Sequence, residues 1–268
     1  MKQIRQIAVV VLGLIMLGCL AAELVAPSGY ATQFREVPNA APSHQHWLGT
    51  DQLGRDRFAR LVHGTRISLL LAPAAALLST MLAGLIGGVA GYLGGLWKRF
   101  ANGLTDLFLC LPWLFLLITA RALLPLNISP LASVTVTFLL LGSLGWAASA
   151  RVVCADVSAM RNSEFLLQAR ANGTRPGRIV AFHLVPNLRP ILMAQFWISI
   201  PVFILAEANL GMLGLGVAEP LPSWGSLLRE LEELALFSSD YWKLAPLVLL
   251  VVVVSSLEAL LSRSKVNA

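Results

Sequence analysis

The sequence predicts an all-α protein, a polytopic bundle of about six transmembrane helices. Three observations lead there. Of 268 residues, 57% are hydrophobic and only 13% charged, against roughly 45–50% and about 25% in a soluble domain. The apolar residues come in long runs, several near the roughly 20 residues that a spanning helix needs. Between those runs sit basic clusters: Lys2 and Arg5, Lys98 and Arg99, the arginines between Arg161 and Arg189, and Arg263 with Lys265. Such clusters mark loops on the cytoplasmic side. The net charge of +6 is thus topogenic. Basic stripes with interleaved aromatics are absent, so the expected partner is the lipid bilayer and not nucleic acid.

Residues 1–26 are expected to form an N-terminal transmembrane helix. Leu17-Gly18-Cys19 hints at a lipoprotein cleavage site, but apolar character continues to Val25, which favours an uncleaved helix. Lys2 and Arg5 place its start inside. Residues 27–66 read as an extracytoplasmic loop with a tight turn at Asp51, Gly54, Arg55 and Asp56, and a short amphipathic helix over 56–64. Residue types alone describe that loop as solvated, its ion pairs worth little. Arg55, Arg57, Arg60 and Arg66 lie outside in this topology, against the usual bias. His44, His46 and His63 lack metal-ligand spacing, so no metal site is expected.

Residues 67–268 form a core with five further spans. The second helix, 67–93, carries Gly84, Gly88 and Gly91 on a glycine-rich face that permits close helix packing or lines a path, and Pro73 is expected to kink it. The third, 104–124, has Pro112 inside and Arg121 near its far end, able to snorkel. Asp106 near its start is an intramembrane acid, functional by default but also favoured by the helix dipole. A short outer turn at 125–130 precedes the fourth helix, 131–150. The fifth, 190–210, is interrupted by Pro201. Glu207 and Asn209 lie toward its outer end, Glu207 either paired with a neighbouring helix or facing water. An outer segment, 221–243, puts Glu230, Glu232 and Glu233 on a surface helix. The sixth helix, 245–261, returns the chain inside, so both termini are expected in the cytoplasm.

The longest polar interruption is the cytoplasmic loop 156–189. Its stretch EFLLQARANGTRPGRIVAFHLVP at 164–186 reads as a short helix, a turn and a second helix start. That is a docking shape. Reaction chemistry is missing: no GxxxxGKS/T, GxSxG or HExxH occurs, and Cys19, Cys110 and Cys154 have no metal or disulfide spacing. No catalytic residue is assigned.

Three motifs together resemble one family, the C-type inner-membrane permease subunits of dipeptide, oligopeptide and nickel ABC importers. HWLGTDQLGRD at 46–56 is similar to that family's signature after helix one, and supplies Gly49, Asp51, Gly54, Arg55 and Asp56. The loop around Gly173, continuing to Ile179 and Leu184-Val185-Pro186, resembles the EAA-type coupling loop. AEANLGMLGLGVAEPLPSWGSLL at 206–228 resembles the segment between helices five and six. The resemblance implies a type I ABC importer permease fold in a bacterial inner membrane. It implies a second homologous permease, two cytosolic ATPases and an extracytoplasmic substrate-binding protein as partners. ATP and Mg would sit on the ATPases, with no cofactor on this chain. The cargo would be peptides, or nickel and other chelates. Glu164, Phe165, Leu166, Ala169, Arg170, Gly173, Ile179 and Pro186 would couple to the ATPase, the helix laid into a groove. The family's usual acid is replaced by Leu167, so either the ATPase carries a compensating change or the helix relies on apolar contact through Phe165, Leu166 and Ala169. The competing class is an ATP-independent channel or proton-coupled carrier.

Overall fold

The computed structural model describes residues 2–26, 28–125, 128–231 and 240–261. The turn residues 126–127, Glu232, Glu233, Arg263 and Lys265 lie outside them. Among the described residues the helices are α1 (Lys2–Leu20), α2 (Ala22–Val25), α3 (Arg57–Leu93), α4 (Gly95–Cys110), α5 (Trp113–Ala122), α6 (Pro130–Leu144), α7 (Ala147–Arg161), α8 (Glu164–Ala171), α9 (Pro176–Ile179), α10 (Val185–Met212), α11 (Trp224–Arg229) and α12 (Ala245–Leu261). A π-helical turn, Val180–Leu184, joins α9 to α10, and a 3-10 turn, Tyr241–Leu244, precedes α12. Strand pairing among the described residues is limited to isolated bridges, Gln33 with Arg55 and Thr50 with Asp56.

Five runs are long and apolar enough to cross a membrane: Gln3–Leu20, Arg57–Leu93, Pro130–Arg161, Pro176–Met212 and Tyr241–Leu261. The pair α4 and α5, bent by 85° at their junction, is either a sixth, broken span or a re-entrant loop. Pro112 causes that break, because it cannot donate to the ladder and pushes Leu111 into extended backbone.

Several element boundaries differ from the sequence expectation. The short amphipathic helix over 56–64 and the span from 67 are one continuous helix of 37 residues, α3. The third span starts at Gly95, not Leu104, after Gly94 and Gly95 turn the chain with φ of 70° and 55°. Pro201 does not interrupt the fifth span; α10 runs through it. Glu230 sits at the end of α11, half-buried, rather than on a surface helix.

The chain divides into two compact units. The first is Met1–Ala72, Ala120–Phe138 and Pro201–Ala268; the second is Pro73–Thr119 and Leu139–Ile200. In the first, α1 packs along α12, and α11 against α12. Buried Trp224 anchors α11 by donating from Nε1 to Thr65 Oγ1 at 3.1 Å. Here glycine is required by contact: a Cβ on Gly225 would reach Gly211 Cα at 2.6 Å.

In the second unit α4 packs along α7. One apolar cluster joins Ala83, Trp146, Ala147 and Ala150 to Leu104 and Phe108. Another joins Val153 and Val157 of α7 to Leu166, Ala169, Ile179, Leu184 and Leu188. A Cβ on Gly91 would stand 2.8 Å from Cys154 O, so α3 meets α7 backbone to backbone.

Candidate functional site

The signature after helix one folds as a knot of buried charge, all within the first unit. Gly49 and Gly54 have φ of 70° and 73°, and a Cβ on either would collide with the carbonyl of Ala40 or Phe34. Their turns bring Asp51 beneath the backbone: its Oδ1 accepts from Leu53 N at 2.9 Å and Arg55 N at 2.8 Å. Asp51 Oδ2 accepts from Arg55 Nε at 2.6 Å. Asp56 caps α3, its Oδ1 accepting from Ala59 N at 2.9 Å. Its Oδ2 pairs with His46 Nδ1 at 2.8 Å. Gly49, Asp51, Gly54, Arg55 and Asp56 are all buried, so the solvated loop with weak surface pairs is corrected. Far-off partners explain the difference.

Those partners come from the segment between α10 and α12. Arg55 pairs with Glu219. Arg57 donates to Glu230 at 2.7 Å and to Thr50 O at 2.9 Å. Arg60 is wholly buried and stands 3.1 Å from Glu219, 3.3 Å from Glu230 and 3.6 Å from Asp51. Sequence reasoning missed Arg57, Arg60, Glu219 and Glu230 as site residues. The available signal was the run of arginines placed outside against the usual bias, which called for buried acids. Burial would raise the Glu219 carboxyl, but hydrogen bonds and charge from Arg60 and Arg55 outweigh it and hold it below its ordinary value. Burial dominates at Glu230 and lifts it, with Arg57 and Arg60 pulling the other way. For Arg55, burial works against the cation; Asp51 and Glu219 override it and raise its pKa. Beside the knot lies a cavity of about 590 Å³ lined by Asp51, Arg55, Arg57, Glu219, Arg229 and Lys243 among others.

Glu207 is fully buried and accepts from Ser68 Oγ of α3 at 3.3 Å; Asn209 is exposed and apart from it. Arg121 does not snorkel. It is buried, donating to Pro125 O at 3.4 Å and Ser133 Oγ at 3.2 Å. His46 is occupied by Asp56, and no three His, Cys, Asp or Glu converge on a metal position among the described residues.

In the second unit the stretch 164–186 is built around α8. Leu166, Ala169 and Ile179 are buried in the chain's own core, which corrects the expectation that Leu166 and Ala169 face a partner. Glu164, Phe165, Leu167, Gln168 and Arg170 form the outer face, and Pro186 is exposed beyond it. Arg170 also lies over the Tyr92 ring at 5.9 Å. Gly173 ends α8 at φ 72°: Gly173 N bonds to Arg170 O at 2.9 Å and Thr174 N to Ala169 O at 3.1 Å. These are the paired bonds of a Schellman stop.

Of the glycines, Gly84 faces Leu192 and Gly91 faces α7, whereas Gly88, though buried, has nothing within 4 Å of a Cβ. Asp106 lies deep in α4, eleven residues past Gly95, so the dipole argument for it fails. It pairs with Arg151 of α7 instead.

Comparison with known proteins places this architecture. The profile of the family described as binding-protein-dependent transport system inner membrane component matches residues 56–265. The dipeptide transport system permease protein DppC of Bacillus subtilis is 33% identical over 221 residues, 82% of this chain and 67% of that one. The oligopeptide transport system permease protein OppC of the same organism is 30% identical over 230 residues, 85% of this chain and 73% of that one. A putative peptide permease protein of Brucella suis is 34% identical over 206 residues, 76% of this chain and 66% of that one. The profile begins at Asp56, the last residue of the signature, and covers the stretch 164–186 and all but the first span, and the chain therefore belongs to the family of inner-membrane components of binding-protein-dependent transport systems.

Proposed function

We propose that this chain pairs with a second homologous permease to form the path of a peptide importer. Two cytosolic ATPases drive it, binding ATP and Mg themselves, and an extracytoplasmic binding protein delivers the peptide. The relatives' names, which speak of dipeptide and oligopeptide transport, support the cargo class. The observation that carries the coupling is the division of α8 into two faces. Its inner face, Leu166 and Ala169, is locked to α7 and Ile179. Its outer face, with Phe165 and Leu167 41% and 50% exposed, is open. Force applied to the outer face is passed to α7, not absorbed by a mobile loop. The family's missing acid at Leu167 leaves an apolar handle of two side chains. ATP shifts the bundle between inward- and outward-open states only because it binds the closed ATPase dimer better. Both termini then lie in the cytoplasm.

The test is a complex reconstituted in liposomes with its binding protein. Labelled dipeptide uptake is expected to require ATP and to vanish when the P-loop lysine of the ATPase is replaced. ATP-independent flux through this subunit alone would overturn the proposal in favour of a channel or carrier.

A further inference from the structure

In the second unit, three polar pairs hold α4 and α7 antiparallel and in register. Lys98 Nζ donates to Ser158 Oγ at 2.9 Å, Cys154 Sγ lies 3.7 Å from Asn102 Oδ1, and Arg151 pairs with Asp106. The rungs fall at 98, 102 and 106 on α4, one helix face at i, i+4 and i+8, and at 158, 154 and 151 on α7. The last rung stands apart. The side chains of Arg151 and Asp106 are 52% and 60% exposed, although both helices belong to spanning runs. Asp106 lies eight residues, about 12 Å of helix, beyond Lys98, and its short side chain cannot reach back to an interface as a lysine does.

The surroundings of this pair are unlike a lipid face. Asn102 and Gly103, one turn before Asp106, are exposed, as are Ala148 and Ala155, one turn to either side of Arg151. By contrast α12 turns Leu247, Val248, Val251 and Val252 outward. Leu107 and Val152 are exposed too, each about 100° round its helix from the charge beside it. The charged sector is therefore flanked by small side chains on the Asn102 side of α4 and on both sides along α7, and bounded by apolar ones, among them Leu109, exposed one turn beyond Asp106. Exposed ions in spanning helices face a water-filled cavity or another charge, not hydrocarbon.

We infer that Asp106 and Arg151 line the translocation path and present a carboxylate and a guanidinium, side by side, to the charged groups of a passing peptide. This rests on the peptide-importer reading above. A cationic group on the peptide takes Arg151's place at Asp106, and an anionic group takes Asp106's place at Arg151. Each ion exchanges one partner for another, so the peptide passes without an unpaired charge. The attraction between the two side chains competes with the peptide and keeps its stay short, as a conduit requires.

Two measurements on the full complex test this. With Cys19, Cys110 and Cys154 replaced, single cysteines at Gly103, Ala148 and Ala155 are expected to react with a hydrophilic, membrane-impermeant thiol reagent. If all three stay unreactive in every nucleotide state while ATP-driven uptake continues, lipid or the partner permease covers this face. The inference then falls and the importer reading stands. The second measurement compares uptake of lysine-bearing and glutamate-bearing peptides. Asp106→Asn is expected to slow the lysine peptide about fivefold more than the glutamate peptide, and Arg151→Gln the reverse, the size of one screened charge contact. Equal losses for both peptides would mean a purely structural pair and overturn the inference.

Discussion

Arg60 shows what a single residue is asked to do in the signature knot. Its guanidinium is wholly buried, with Glu219, Glu230 and Asp51 around it. Removing one partner of such a group costs about 3–5 kcal/mol, more than the pair gains by forming. The two glutamates differ in sign. Glu230, raised by burial, takes up a proton more readily folded than unfolded. Its linkage favours folding below the ordinary carboxylate pKa, and that favour is lost as pH rises through the raised value. Glu219, depressed by Arg60 and Arg55, contributes stability above the ordinary carboxylate pKa and loses it as pH falls through the depressed one. Thermal unfolding of the purified complex across pH will separate them. Glu230→Gln is expected to match the parent in acid, where Glu230 carries its proton, and to be at least as stable as the parent at neutral pH, where the parent has lost that favour. Glu219→Gln is expected to lose stability at neutral pH and to converge on the parent in acid. The Glu219 side chain is half exposed, which limits that loss to about 1 kcal/mol.

At the level of elements, α8 and its stop make a separable prediction. Gly173 holds φ at 72° with open space around it, so conformation and not volume selects glycine there. Gly173→Val places a β-branched residue in the left-handed region at a cost of about 1–2 kcal/mol. Insertion into the membrane is expected to continue while ATP-driven uptake falls at least roughly tenfold, since the outer face of α8 loses its fixed angle. Gly173→Asn, which tolerates that conformation, is expected to keep most of the activity. Uptake assays on membranes with matched protein levels check both. This stop could be read in advance from the Gly after a short amphipathic run. The inward turn of Leu166 and Ala169 could not, because the apolar side of an eight-residue helix fits a partner's groove as well as the chain's own core. α3 departs from the sequence expectation for a related reason. Arg57 and Arg60 look like loop residues until Glu219 and Glu230 are placed beside them, and Glu219 lies 159 positions from Arg60 and Glu230 173 from Arg57.

For the whole molecule, composition was enough to find the spans, since bilayer thickness imposes a length that hydropathy reports directly. The grouping into two units was not readable, because each gathers stretches separated by scores of residues. The count of crossings turns on α4 and α5. Together they make a sixth span; as a re-entrant pair they leave five. Parity decides it. Reporter fusions at the two ends are expected to be active on the same, cytoplasmic side, and opposite sides would mean five crossings. The elbow at Leu111 and Pro112 has one more consequence. A helix that stops leaves its final four carbonyls without amides, here those of Leu107 to Cys110. Hydrocarbon offers such oxygens nothing, so the bend needs a local supply of hydrogen-bond donors, and solvent held at that depth is the cheapest source.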